Sequence, residues 1–163
     1  MILEETKILK VSPDLSGGGD LEKMQFAADI IKKGGLVAFP TETVYGLGAN
    51  ALDEKAVASI FTAKGRAQDN PLIVHVSDTM DIGKYAFAEG NEKADILMSQ
   101  MPAPLTIILP KRDVIPLTVT AGLESVAMRV PENIVARKLI ELSGLPISAP
   151  SAWSLECGFH LPL

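Results

Sequence analysis

Two cations in the middle of the chain lie two residues apart and could bind phosphate groups. Lys64 and Arg66 flank Gly65, where a helix is expected to end. In an extended segment their side chains can point the same way. A guanidinium offers a fork of donors and an ammonium a point charge, which together suit a polyphosphate. Taken alone, the pair is better explained as a cationic helix C-terminus that interacts with the helix dipole.

A second polar segment, PTETVYGLG at residues 40–48, follows a short apolar strand predicted at 36–39. The strand would deliver two threonine hydroxyls, a carboxylate and a tyrosine into a glycine-rich turn. Glycines allow close approach of the backbone to a ligand, and hydroxyls and N–H groups can hold a carboxylate or a phosphate. Taken alone, the segment is slightly better explained as an ordinary strand-to-turn connection.

Four further polar positions also lie next to predicted strands. Asn70 precedes the apolar strand 71–76, and Thr106 lies in a PLT segment that leads into another strand. Arg129 ends a strand, and Ser148 and Ser151 belong to the turn SAPSA. The SAPSA segment has an ordinary loop as its alternative interpretation, and Arg129 has a weak surface salt bridge.

The elements that would position these residues alternate between strand and helix. Hydrophobic patterns predict strands at 6–11, 36–39, 71–76, 105–109, 125–130 and 146–149. Helices are predicted to begin at or near the following residues: Asp20, Asp53, Asp78, Asn91 and Pro131. This order without repeats predicts an α/β fold, a twisted sheet covered by helices, with the site in loops at strand ends.

Composition limits the classes of function. The 163 residues suit one domain, and the net charge of -5 disfavours general attraction to nucleic acid or anionic lipid. The lone Cys157, the absence of a signal-like start and the lack of a long apolar run predict a soluble, cytoplasmic protein that does not bind membranes. The sequence lacks GxxxxGK[ST], GxGxxG and cysteine–histidine clusters, which disfavours a P-loop kinase, a dinucleotide enzyme and a zinc site.

Taken together and in order, six polar segments closely resemble the YrdC-like family of threonylcarbamoyl-AMP synthases, over roughly residues 24–152. These segments are PTETVYGLG, KGR, NPL, PLT, VAMRVP and PISAPSA. The resemblance implies a YrdC-like twisted mixed sheet flanked by helices, with a concave basic cavity. It also implies the reaction. Threonine and bicarbonate give N-carboxythreonine, which attacks the α-phosphate of ATP to form threonylcarbamoyl-AMP and pyrophosphate, and partner proteins transfer the threonylcarbamoyl group to tRNA.

The resemblance also implies roles for residues on the threonine side of the site. Thr41, Arg129 and Ser148 would bind L-threonine, with Arg129 pairing its carboxylate. Glu42 and His75 are candidate polar contributors, although a surface acid and an ordinary strand histidine are the simpler interpretations.

On the nucleotide side, the resemblance implies that Lys64 and Arg66 neutralise phosphate charge during catalysis, together with Mg²⁺ that accompanies ATP. Asn70, Thr106 and Ser151 would complete the nucleotide-binding site. No metal ligand is expected from the protein itself.

The chain departs from the family pattern at two places. Trp153 stands where an asparagine is expected, so residues 1–152 are interpreted as a YrdC-like domain incomplete at its C-terminal end and 153–163 as an aberrant tail. Low stability or oligomerisation and impaired synthesis are expected from the resulting unpaired sheet edge. Ala103 replaces a glycine, which would cause strain if that site needs positive φ.

Two alternatives stay open. The chain could be a YrdC-like carbamoyltransferase domain of hydrogenase maturation, although the family block begins close to residue 1, without the modules that precede it in such enzymes. It could also be a non-catalytic module that binds tRNA or double-stranded RNA, although acidic charge and 5% aromatic content weigh against this.

Overall fold

The computed structural model describes residues 6–65 and 67–152. Its strands are β1 (Val37–Phe39), β2 (Gly46–Asn50), β3 (Ile73–His75), β4 (Ile107–Pro110), β5 (Ser125–Arg129) and β6 (Ile147–Ser148). Its helices are α1 (Asp20–Lys32), α2 (Glu54–Lys64), a 3₁₀ helix (Thr79–Lys84), α3 (Glu92–Met98), α4 (Leu117–Thr120) and α5 (Ile134–Ser143). None of the helices in these described ranges has the length and apolar character needed to cross a bilayer.

The six strands form one sheet in the order β1-β2-β6-β3-β5-β4. The β3–β5 pair is parallel and the other neighbouring pairs are antiparallel. The sheet is therefore mixed and carries helices, as the sequence predicted. The short β6 lies at the centre, so the segment that follows it emerges between β2 and β3.

Two apolar clusters lie on opposite faces of this sheet. One contains the buried faces of α1 and α5, including Ile31 and Leu139, together with Ile147 of β6. The other contains Val57 and Ile60 of α2 with apolar residues of β3, β4 and β5. Of the two central strands, β3 contributes Val74 to the cluster on α2, and β6 contributes Ile147 to the cluster on α1 and α5. The sheet is therefore packed against helices on both faces.

Capping side chains explain the ends of two helices that flank the sheet. The Asp53 side chain accepts hydrogen bonds from the backbone N–H groups of the first turn of α2, as predicted. Gly65 ends α2 in the left-handed conformation, with φ of 58°.

Two predicted helix starts differ from the structure. Asn133 caps α5, so that helix begins at Ile134 and the predicted start at Pro131 is wrong. Asp20 is the first residue of α1 and not its cap, which is Gly19.

Three further predictions are wrong. Residues 6–11 form no strand, because their alternating pattern meets no partner strand among the described residues. The predicted glycine-rich turn at 46–48 is instead the first part of β2, paired with β1. Ala103 is not among the described residues with positive φ, so the proposed strain at that position is absent.

Candidate functional site

A cavity of about 330 Å³ opens where the chain leaves β1, β5 and β6. It is lined by residues of three polar segments and of β3: Thr41, Thr43, Val44, Gly46, Pro71, Leu72, Ile73, His75, Arg129, Ala149, Pro150 and Ser151. The cavity therefore brings together residues from the PTETVYGLG segment, the end of β5 and the SAPSA turn, which are far apart in the sequence.

The Thr41 hydroxyl shapes one wall of the cavity. It accepts hydrogen bonds from the backbone N–H groups of Thr43 and Val44, each at 3.2 Å, and donates to the carbonyl oxygen of Val44 at 2.5 Å. A hydroxyl has one donor and two acceptor positions, so the turn uses the full capacity of this group. The threonine thus fixes the shape of the wall immediately after β1.

Arg129 brings a positive charge to the cavity from the last position of β5. Its Nε donates to the Thr106 hydroxyl at 3.0 Å, and its Nη1 lies 3.3 Å from Glu42 Oε1. The side chains of Arg129 and Glu42 are only 17% and 11% exposed, so this ion pair is largely desolvated. Thr106 contacts Arg129 and does not itself line the cavity.

His75, in β3, contributes an uncharged ring to the cavity wall. Its Nδ1 lies 3.3 Å from the carbonyl oxygen of Ile147, and its ring meets Phe39 edge to face at 6.2 Å between centroids. Burial, reinforced by the positive charge of Arg129, lowers the pKa of His75 from 6.5 to about 4. The imidazole is therefore neutral at physiological pH, and Arg129 supplies the positive charge of this wall.

Lys64 reaches the SAPSA turn from the end of α2. Its ammonium donates a hydrogen bond to the carbonyl oxygen of Ser151. That turn is also joined to the start of β2, because the Leu47 N–H donates to Pro150 at 3.0 Å and the Ala152 N–H donates to Tyr45 at 2.6 Å. Lys64 therefore lies at the edge of the cavity, at a segment held by main-chain hydrogen bonds.

Besides Lys64, which lies at its edge, three described residues predicted to bind ligands do not line the cavity. Ser148 is completely buried, and its hydroxyl has no hydrogen-bond partner within the described part of the chain. It pairs with Ala49 and Val74, which belong to the α2-side cluster, whereas the next residue, Ala149, lines the cavity. Asn70 is exposed and Thr106 acts through Arg129. Arg66 lies outside the described residues, and the ligand-binding roles assigned to all four stay predictions.

The structure adds two residues that the sequence did not single out strongly. Glu42 is not a surface acid, because its carboxylate is buried against Arg129. His75 is a buried strand histidine, as the simpler interpretation held, but it also lines the cavity. No local pattern indicated either contact, since Glu42 and Arg129 are 87 positions apart. Within the described ranges, no three histidine, cysteine, aspartate or glutamate side chains are grouped as a metal site requires.

Known proteins are similar to this chain in both sequence and architecture. The threonylcarbamoyl-AMP synthase of Pyrococcus abyssi is 55% identical over 131 residues, which are 80% of this chain and 38% of that protein. The synthase of Bacillus subtilis is 52% identical over 128 residues, covering 77% and 37%. A crystal structure of P. abyssi Sua5 complexed with L-threonine superposes with a TM-score of 0.77 at 52% identity, covering 80% of this chain and 38% of that one. The chain thus spans under two fifths of the length of these relatives.

Membership of a family follows from a match to most of the chain. The sequence model named for Sua5, YciO and YrdC, and described as telomere recombination, matches residues 29–155. These residues contain every motif that forms the cavity. The chain belongs to the Sua5/YciO/YrdC family.

Proposed function

We propose that this chain carries the active site for making threonylcarbamoyl-AMP from L-threonine, bicarbonate and ATP, with release of pyrophosphate. One observation supports this most directly: the cavity combines Thr41, His75 and Arg129 in a fold that superposes on a Sua5 structure complexed with L-threonine. The cavity is lined both by a cation fixed by neighbouring side chains and by a tightly bonded hydroxyl turn. Such a site suits a small zwitterion.

For the threonine substrate, Arg129 would pair the carboxylate and the turn at Thr41 would enclose the side chain. An arginine already held by two side chains loses little freedom when a carboxylate binds, which favours binding. Ser148 is buried away from the cavity, so this geometry gives no support to the threonine-binding role predicted for it. The substrate amine then forms a C–N bond with bicarbonate-derived carbon, and water leaves.

For the nucleotide, Lys64 and Arg66 would neutralise phosphate charge, and Mg²⁺ would enter as part of the Mg–ATP substrate. The carbamate oxygen bonds to the α-phosphorus while the bond to the pyrophosphate oxygen breaks. Such transfers require alignment and charge neutralisation more than covalent help from the protein. Lys64 would exchange the Ser151 carbonyl for a phosphate oxygen, and Asn70 and Ser151 would contact the nucleotide. Thr106, which does not line the cavity, would act through Arg129.

The product implies a partner. Threonylcarbamoyl-AMP is a mixed anhydride, so we propose that a tRNA-modifying transferase consumes it in the cytoplasm and acylates an adenosine of tRNA. The relatives' name, threonylcarbamoyl-AMP synthase, supports the formation of this product.

Pyrophosphate release from ATP tests the proposal. We expect release that requires both L-threonine and bicarbonate, and a decrease of about 100-fold in Lys64→Ala, because a phosphate-binding donor is lost. Lys93→Ala is the matched control, since Lys93 is an exposed lysine of α3. Threonine-independent release, or equal rates in Lys64→Ala and Lys93→Ala, would contradict the proposal.

A further inference from the structure

The ion pair between Glu42 and Arg129 is largely buried, and a contribution to the stability of the fold does not by itself explain this burial. Both side chains are largely desolvated, and they come from separate parts of the fold, the loop after β1 and the last position of β5. Removing two charges from water costs free energy that their attraction often only balances. A buried pair of this kind is therefore weak support for a purely structural role.

The second carboxylate oxygen of Glu42 is also poorly explained by a purely structural role. Oε2 is buried and accepts no hydrogen bond within the described residues. An ionised carboxylate can accept about four hydrogen bonds, and leaving a buried oxygen without one is unfavourable. Within the described ranges, Arg129 is the polar partner of this side chain. Its carboxylate is thus directed at the guanidinium and is not part of a wider stabilising network.

The guanidinium is held from two sides while it faces the cavity. Thr106 accepts from Nε and Glu42 accepts from Nη1, so two of its five N–H donors are directed to protein oxygens. Arg129 lines the cavity, whereas Glu42 and Thr106 do not. Glu42 therefore contacts the guanidinium without itself lining the cavity.

We propose that Glu42 is a positioning residue for substrate binding, which orients Arg129 so that its remaining N–H donors face the substrate carboxylate. This inference rests on the proposed function, because it takes L-threonine as the ligand of Arg129. Glu42 contacts neither the nucleotide nor the reacting atoms, so it acts on threonine binding through Arg129. Its loss should weaken the binding of threonine and leave ATP binding unaltered.

Calorimetric titration of the 163-residue chain with L-threonine and, separately, with ATP tests this assignment. In Glu42→Ala we expect the Kd for L-threonine to rise about tenfold, as for the loss of one charge-assisted hydrogen bond, and the Kd for ATP to stay the same. Glu42→Gln should recover most of the affinity, because its amide oxygen can still accept from Nη1. Glu92→Ala, at an exposed position of α3, is the control and should bind both ligands normally.

Each alternative outcome has a distinct meaning. If Glu42→Ala melts at a lower temperature but binds threonine as the wild type does, the role is structural and the inference is overturned. A parallel loss of ATP and threonine affinity overturns it as well, because a positioning role through Arg129 affects only threonine. If the wild-type chain binds ATP but no threonine, the proposed function fails, and the inference fails with it.

Discussion

At the scale of single residues, the positive charge of Arg129 organises its surroundings. It attracts the Glu42 carboxylate, and it also disfavours a second positive charge on His75. The histidine has little water to stabilise its protonated form, because it is buried within β3. Burial is the larger cause of its low pKa and Arg129 the next. The site therefore keeps one permanent cation beside a ring that stays neutral.

This arrangement predicts a loss of stability in mild acid. The pKa of His75 is about 4 in the folded protein and 6.5 ordinarily, so the unfolded chain takes up the proton first as the pH falls. Unfolding is thereby favoured, and the stability present above pH 6.5 is lost as the pH falls towards 4. The free energy of unfolding should decrease by roughly 2 kcal/mol from this group between about pH 7 and about pH 4.5.

Urea denaturation at the two pH values, for the wild type and for His75→Gln, measures this contribution. Carboxylates titrate in both proteins. The difference between the two proteins in the free energy of unfolding lost on acidification therefore isolates the contribution of the histidine. His75→Gln should lose less stability on acidification. Equal losses in both proteins would show that His75 does not titrate at a lowered pKa.

At the scale of elements, the contact between β1 and β2 depends on Gly48. A Cβ added there would lie 2.6 Å from the Cε1 atom of Phe39 and 2.7 Å from the Cγ2 atom of Ile147. Both neighbours belong to the cluster packed on α1 and α5. The glycine thus lets the central strand β6 and the edge strand β1 fill space beside β2.

Gly48→Ala should therefore destabilise the protein by about 1–3 kcal/mol through overpacking. Gly18→Ala is the matched control, because a Cβ there meets nothing within 4 Å. Urea denaturation of both variants gives the comparison. If Gly48→Ala unfolds at the same urea concentration as Gly18→Ala, the close packing around Gly48 does not contribute to the stability of the fold.

The same elements show what local sequence can reveal. α2 was predicted correctly because its cap and its apolar stripe are local signals, set by Asp53 and by Val57, Ile60 and Phe61. β2 was missed because GLGAN has low strand propensity, and the reason for its glycines lies in Phe39 and Ile147, which are distant in sequence. Residues 6–11 failed for the opposite reason, since alternation without a partner strand forms no sheet.

For the site, the motifs correctly predicted that Thr41, Arg129 and Ser151 come together around one cavity. They did not show that Ala149 would line it and Ser148 would not, because that depends on the register of β6 against β2 and β3. A shift of one residue would exchange the two faces. The burial of Glu42 could not be predicted from the sequence either, because it depends on the tertiary contact with Arg129.

At the scale of the whole molecule, charge and aromatic exposure bear on the RNA-binding alternative. The net charge is -5, which repels a polyanion in general. Proteins that bind single strands offer exposed aromatic rings as stacking surfaces. Among the described residues, Phe26, Tyr45 and Phe87 are exposed, but Lys7 lies over the ring of Phe26 and Arg112 over that of Phe87. Of these three rings, Tyr45 is the one without a cation over it.

We therefore expect weak binding of tRNA by the chain alone, with a Kd above about 1 μM at physiological salt, as for nonspecific contacts. Fluorescence anisotropy with labelled tRNA, over a range of salt and with or without ATP and L-threonine, measures this. Lys64→Ala should leave the affinity unchanged, because its ammonium is directed at Ser151 beside the cavity and not at an exposed basic surface. Nanomolar affinity that falls steeply with salt and is insensitive to ATP would instead identify an RNA-binding module, in which the cavity serves another purpose.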